Sequence, residues 1–269
     1  MARLILSDAP YGALFYFIQK YLLLHCGLDY GTILFGGALM IPKVIHYCWF
    51  GGNDKPKSVK KCIASWQQFC PDYKIVEWNE NNFDINKNGY TKMCAEQKKY
   101  AFLSDYARLV IIEQNGGIYF DTDVELVKPI DFLLENEAFF SFENPEYVNT
   151  GQGFGSVAHG EAVAAMVREY DPYLDGEHGT MTCPRLNTDT LLRYGLVLDG
   201  KMQTVANALI LPSDYMNPYG SNTGILNKTE NTISIHWYSG SWMTKKQRLR
   251  SSITKPIHRI FGISFLKKK

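Results

Sequence analysis

Asp121 and Asp123 stand one residue apart at the end of Asn115-Gly116-Gly117-Ile118-Tyr119-Phe120-Asp121-Thr122-Asp123, where a tight turn feeds a short apolar strand. Along an extended segment alternate side chains face the same way, so the two carboxylates can share a hard cation, Mn²⁺ or Mg²⁺, through oxygen ligands. Such an ion usually keeps open positions for phosphate. The spacing alone carries little weight, because 14 Asp in 269 residues give about one such pair by chance. The Gly-Gly turn and apolar strand before it favour a metal site over a solvated acidic turn.

Two further groups bear on that site. Asp105 and Arg108 lie three apart in a helical segment and share a face. They form either a surface ion pair or, since this helix leads directly into the strand of Asp121, a contact to phosphate or sugar beside the cation. Near the C-terminus comes His236-Trp237-Tyr238-Ser239-Gly240-Ser241-Trp242. Here a neutral His236 imidazole can complete the protein ligands of the metal, and Ser241 with Trp242 can hold a diphosphate. The plainer alternative is a packed polar residue at a strand end.

The elements that position these residues follow from periodicity and punctuation. Residues 44–49 form a short apolar run closed by Phe50-Gly51-Gly52, which predicts a buried strand ending in a permissive loop. A helix over 56–69 and a strand over 73–78 follow, the beginning of a βαβ unit. In a parallel sheet the loop at residues 50–53 then lies at the strand edge where open α/β folds bind ligands. A helix is expected from about Lys92 to Asn115, with Gly116-Gly117 as its stop. Strands are predicted at 139–142, 154–157 and 232–236, helices at 161–170 and 187–194, and a basic amphipathic helix or two from Thr244.

A chain of 269 residues with 46% hydrophobic and 20% charged residues can bury the core of one α/β domain with appendages. The net charge is +1, but no acidic residue follows Glu230, while nine Lys and Arg lie between Lys245 and Lys269. That is a basic tail on a body of about −8 (19 basic against 27 acidic residues). Six scattered cysteines match neither a zinc site nor a disulfide framework, so a reducing, cytoplasmic setting is expected. No nucleic acid partner is expected. The first forty residues hold apolar runs at 14–18 and 21–24 that are too short to span a membrane. They read as an added helix, or as sequence upstream of a natural start at Met40. The resulting division is an apolar extension over 1–40, a catalytic domain over 41–245 and a basic helical tail over 246–269.

Taken in order, residues 41–52, Ser65-Trp66 with Pro71-Asp72-Tyr73, residues 103–108, Gly116 to Asp123 and His236 to Trp242 resemble glycosyltransferase family 32. That family holds DXD-motif sugar transferases such as initiating α-1,6-mannosyltransferases and bacterial capsular polysaccharide enzymes, with large clostridial glucosylating toxins as distant relatives. The resemblance implies a GT-A fold, a mixed, mostly parallel sheet flanked by helices that binds a nucleotide-diphospho-sugar. It also implies transfer of a hexose with retention from a UDP- or GDP-linked donor to a glycan or lipid-linked acceptor in surface polysaccharide synthesis. On this resemblance Trp49 stacks on the base with His46 and Tyr47 in the same wall, and Asp105 and Arg108 contact the donor sugar. Tyr119 lines the site, Asp121 contacts ribose or metal-bound water, and Asp123 ligates the metal. His236 or its neighbours, with Ser241 and Trp242, close over the diphosphate. Thr182-Cys183-Pro184 stands where relatives carry Thr-Gly-Pro, in a loop expected to shape the acceptor pocket with residues 149–155.

Two other functions fit part of the pattern. A haloacid-dehalogenase-like phosphatase also ends an apolar strand in Asp-x-Asp-x-Val, matched by residues 120–124, but there the motif closes the first strand of the fold. A non-catalytic nucleotide-sugar-binding protein would need only the pocket. The basic tail adds a possible partner, an anionic membrane surface on which the protein would sit peripherally.

Overall fold

The computed structural model describes residues 40–240 and 245–261, together with the backbone of residues 34–35 and 38–39. Strands β1 (Leu34–Phe35) and β2 (Ala38–Leu39) pair as a small antiparallel ladder. The rest of the apolar extension, and Ser241 and Trp242, lie outside the described residues.

The body is built on an eight-stranded sheet. Its strands are β3 (Val44–Cys48), β4 (Lys74–Trp78), β5 (Gly117–Tyr119), β7 (Ala138–Asn144), β8 (Tyr147–Val148), β9 (Phe154–Ser156), β10 (Gln203–Val205) and β11 (Ala208–Leu211). The spatial order is β10-β11-β7-β9-β5-β3-β4, with β8 added on β7. Strands β4, β3, β5, β7 and β11 run one way, and β9, β10 and β8 oppose them, so the sheet is mixed and mostly parallel. A separate antiparallel pair joins β6 (Val124–Leu126) to β12 (Ser234–His236).

Alternation along the strands gives the sheet two apolar faces. Ile45, Ile118, Phe120, Phe139 and Leu211 pack on one side with Trp66 of α1 (Lys57–Phe69). Tyr119, Phe140, Phe142 and Phe154 face the other, against α2 (Gly89–Glu96), α3 (Tyr100–Asn115), α4 (Glu161–Arg168) and α5 (Cys183–Arg193). A short α6 (Ser213–Met216) and the basic α7 (Lys245–Phe261) complete the helices among the described residues. None of them is long and apolar enough to cross a membrane.

The helix expected from Lys92 to Asn115 is two helices. The first starts earlier, because Asn88 caps it reciprocally with Thr91. It then ends in a Schellman turn: the Lys99 amide donates to the Cys94 carbonyl at 2.7 Å and the Lys98 amide to Ala95 at 3.0 Å, with Lys98 at φ +54°. Sequence reading missed this stop because a lysine occupies the left-handed position that glycine usually holds. The pair β10 and β11 was also not anticipated. The predicted βαβ unit is present, and β3 pairs in parallel with both β4 and β5.

Candidate active site

The Gly116-Gly117 turn is dictated by space as well as by conformation. Both residues have positive φ, +64° and +102°. A Cβ on Gly116 would lie 2.8 Å from the Ala158 nitrogen, and one on Gly117 2.8 Å from the Val44 carbonyl oxygen and 2.9 Å from His46 Nε2. Only glycine lets α3 end against the sheet and turn straight into β5. The register Ile45↔Ile118 and His46↔Tyr119 then brings the loop after β3 and the segment from Asp121 out of the same sheet edge.

Beyond that edge opens a cleft of about 1240 Å³. Trp49, Asp105, Arg108, Tyr119, Asp121, Asp123 and His236 all line it. Arg108 is 3% exposed, so its cation is compensated by side chains rather than water. Its guanidinium contacts the Asp105 carboxylate, lies 3.3 Å from Asp121 Oδ1, donates through Nε to the Ser104 carbonyl at 3.1 Å, and sits 5.0 Å from the centre of the Tyr119 ring. The Tyr119 hydroxyl donates to Asp121 Oδ1 at 3.0 Å. Burial raises the Asp105 carboxyl to about 6 despite Arg108, and burial also raises Asp121.

Asp123 has different surroundings from Asp121. Strand β12 places His236 opposite Val124, and His236 Nε2 lies 3.3 Å from Asp123 Oδ1. The Ser239 amide donates to Asp123 Oδ2 at 2.7 Å and the Trp237 amide to the Asp123 carbonyl at 3.0 Å. Burial would push the Asp123 carboxyl up, but His236 and Ser239 hold it well below the usual carboxylate range. His236 is correspondingly raised by Asp123 against the effect of its own burial. Its ring stacks on Tyr238 at 4.0 Å, a residue in the left-handed region at φ +49°.

The donor set fits a hard divalent cation. Ligand atoms of Asp121, Asp123 and His236 all lie within 4.8 Å of one another. The Nδ1 atom of His236 is buried with no hydrogen-bond partner in the protein. Two carboxylates and one imidazole suit Mn²⁺ or Mg²⁺, and a soft metal would call for thiolates.

At the mouth, Trp49 Nε1 donates to the Asn53 carbonyl at 2.7 Å, and Lys55 Nζ sits 5.7 Å from a Trp49 ring centre. Lys55 is held by Glu77 at 2.6 Å, and the Tyr47 hydroxyl donates to the same carboxylate at 2.5 Å. Tyr47 and His46 are not among the cleft-lining residues, unlike Trp49. Tyr47 points into the core beside Trp66. His46 accepts from Trp78 Nε1 at its Nδ1 (2.9 Å) and reaches the Gly116 carbonyl with Nε2 (3.1 Å), so Nε2 carries the hydrogen. Burial lowers it to about 4, which keeps it neutral. It braces the Gly-Gly turn, and Tyr47 is tied through Glu77 to Lys55, which lies beside the Trp49 ring.

The structure adds residues that the sequence reading did not single out. Glu143, at the end of β7, lines the cleft and accepts from Asn149 Nδ2 at 2.9 Å. Lys98 and Lys99 line it from the turn before α3. A Cβ on Gly151 would lie 2.7 Å from Asp121 Oδ2 and 3.0 Å from Arg108 Nη1, so this glycine permits the ion pair between Arg108 and Asp121. The loops at 149–151 and 182–184, expected on the acceptor side, meet where the Cys183 thiol donates to Asn149 Oδ1 at 3.3 Å. None of these positions forms a spaced motif, which is why pattern reading passed over most of them.

Residues 38–167 match the family model described as "Capsular polysaccharide synthesis protein". The chain is 32% identical over 111 residues to an uncharacterized glycosyltransferase, L373, of Acanthamoeba polyphaga mimivirus, covering 38% of this chain and 43% of that protein. It is 30% identical over 119 residues to inositol phosphoceramide mannosyltransferase 3 of Schizosaccharomyces pombe, covering 42% and 33% respectively. The chain thus spans less than half the length of these curated relatives. Among solved structures it is similar to the PaToxG glycosyltransferase, with a TM-score of 0.49 and 17% identity over 68% of this chain and 76% of that one. It is also similar to the galactosyltransferase LgtC, with a TM-score of 0.44 and 12% identity over 78% and 93%. Residues 38–167, which carry Trp49, Asp105, Arg108 and both carboxylates of the pair, are thus the part of the chain that is similar to this family model, and the matches to the named glycosyltransferases span 111 and 119 residues.

Proposed function

We propose that residues 41–245 form a metal-dependent retaining glycosyltransferase that moves a hexose from a UDP- or GDP-linked donor to a glycan or lipid-linked acceptor in surface polysaccharide synthesis. The observation that carries this reading is the convergence, in one cleft, of an aromatic platform at the mouth with Arg108 and the cluster Asp121, Asp123 and His236 at depth. An apolar platform, a fixed cation and a metal-ligand set match the three parts of a nucleoside-diphosphate sugar: base, sugar and diphosphate.

In this reading Asp121, Asp123 and His236 would hold Mn²⁺ or Mg²⁺, which when bound would supply positive charge to the departing diphosphate. The chain's own residues do the rest. Trp49 offers its face to the base, with its indole fixed by Asn53. Arg108, pinned by Asp105 and Asp121, presents a preorganised charge that pays no reorganisation cost as negative charge develops. Asp105 contacts the sugar, and Ser241 with Trp242, outside the described residues, would close over the diphosphate. Glu143 and Asn149 face the acceptor side.

Retention follows, in this proposal, from attack of the acceptor hydroxyl on the donor's own face. A glycosyl-enzyme adduct trapped on Glu143 or Asp105 and detected by mass spectrometry would replace that step by double displacement. The functional test is a hydrolysis screen over UDP- and GDP-hexoses with Mn²⁺, with a phosphomonoester as control. Release of nucleoside diphosphate from one donor class supports the proposal. Hydrolysis of the phosphomonoester alone would point to the phosphatase reading, and tight donor binding without turnover to a binding protein.

A further inference from the structure

Helix α7 carries six Lys and Arg and no acidic residue in its 17 positions, and it shows two distinct faces. One is turned to the body. Lys255 Nζ lies 5.5 Å from the Tyr219 ring centre, His258 Nδ1 is 3.3 Å from the Asn222 carbonyl oxygen, and Arg259 Nη2 donates to the Gly224 carbonyl at 2.9 Å. The other face is apolar and faces outward: Leu249, Ile253 and Ile260 are 64%, 57% and 72% exposed. At 100° per residue these three fall within about 40° of one another, and Lys255 and His258 lie about 140–160° away. Lys246 and Arg250, both exposed, border the apolar stripe along one side.

An outward apolar stripe bordered by uncompensated positive charge has a restricted set of partners. A second copy meeting this face would offer no acidic side chain on its α7 to pair with Lys246 and Arg250. A bilayer with anionic headgroups satisfies both parts at once. The helix is too short and too charged to span, so it would lie along the surface.

We propose that α7 docks the protein on an anionic lipid surface, with Leu249, Ile253 and Ile260 at the acyl boundary and Lys246 and Arg250 against the headgroups. The docked helix lies close to the cleft. Gly240 lines the cleft and α7 begins at Lys245, so the helix start is within about 18 Å of it. A second link runs from Lys255 to Tyr219, whose ring is 5.4 Å from that of the cleft-lining Trp237. Docking would therefore hold the cleft near lipid headgroups, whatever chemistry the cleft performs.

The test is co-sedimentation of the full chain with vesicles of phosphatidylcholine alone or mixed with phosphatidylglycerol, at low and high salt. Binding is expected only to the anionic vesicles and only at low salt. Replacing Leu249, Ile253 and Ile260 together by Ser should weaken it at least about tenfold. Lys246→Gln and Arg250→Gln should each weaken it about fivefold. Nucleotide-sugar hydrolysis in solution should be unchanged in all of these variants, which separates failure of docking from failure of the proposed chemistry. Three results would overturn the proposal: no binding to anionic vesicles, unchanged binding by the triple Ser variant, or a concentration-dependent dimer that the triple variant abolishes.

Discussion

Asp105 is the residue whose environment most nearly opposes its ionisation. Its carboxyl is raised from 3.8 to about 6, first by burial and then by Asp121, with Arg108 pulling the other way. The folded state therefore binds this proton more tightly than the unfolded chain. The stability this contributes is complete below 3.8 and lost as pH rises through 6. Asp105→Asn, which cannot ionise, removes one of the two carboxylates that compensate buried Arg108, and its stability relative to the wild type is expected to improve as pH rises from 4 through 6. Thermal unfolding across that range checks it, and transfer activity should nevertheless fall by at least about tenfold. Gly151→Ala is the counterpart in space, since the new methyl would press on Asp121 and Arg108. A loss of about 1–3 kcal/mol and of most activity is expected, read by unfolding and donor hydrolysis. That Asp105, Arg108, Asp121 and Asp123 belong together was legible as residue spacing, and they line one cleft, whereas the close approach of Gly151 to that ion pair and the presence of Glu143 became visible only when separate loops met.

Among the elements, α1 and β12 hold the segment that carries Asp121 and Asp123. Trp66 donates from Nε1 to the Val124 carbonyl at 2.8 Å, and Ser65 Oγ accepts the Leu126 amide at 2.9 Å, so α1 holds β6 immediately after Asp123. Trp66→Phe keeps an aromatic ring at a fully buried position but removes the N–H that the Val124 carbonyl accepts and leaves the space of the lost ring. It should cost about 1–3 kcal/mol in unfolding free energy and weaken Mn²⁺ binding, measured by calorimetry. From the other side, Asp123 holds the segment after β12 through the Ser239 and Trp237 amides. The left-handed Lys98 between α2 and α3 offers a test of the helix break. Lys98→Gly should raise stability by about 0.5–1 kcal/mol, because glycine enters that region without a steric penalty. Helices and strands with clear apolar periodicity were readable from the chain. This break was not, since its signal is usually a glycine, and the pairing of β6 with β12 joins segments about a hundred residues apart that no local pattern connects.

At the scale of the whole molecule, the mixed sheet, α3 and the separate β6–β12 pair bring five separated segments to one cleft: the loop after β3, the start of α3, the end of β5, the end of β7 and the segment after β12. The order of the motifs along the chain foretold that meeting. It did not foretell that His46 and Tyr47 would serve the turn and Lys55 and not line the cleft, because the cleft opens beyond the end of β3, where Cys48 and Trp49 reach it and the two residues before them do not. In the proposed function the Asp121, Asp123 and His236 cluster holds a cation that seats the diphosphate of a nucleotide sugar. Calorimetric titration of UDP and GDP into the wild-type protein and Asp123→Ala, with Mn²⁺ and with excess chelator, tests this. One nucleotide is expected to bind the wild type with Mn²⁺, and chelator or the substitution to weaken binding at least about a hundredfold while the variant stays folded. Equal affinity in chelator, or in folded Asp123→Ala, would contradict it.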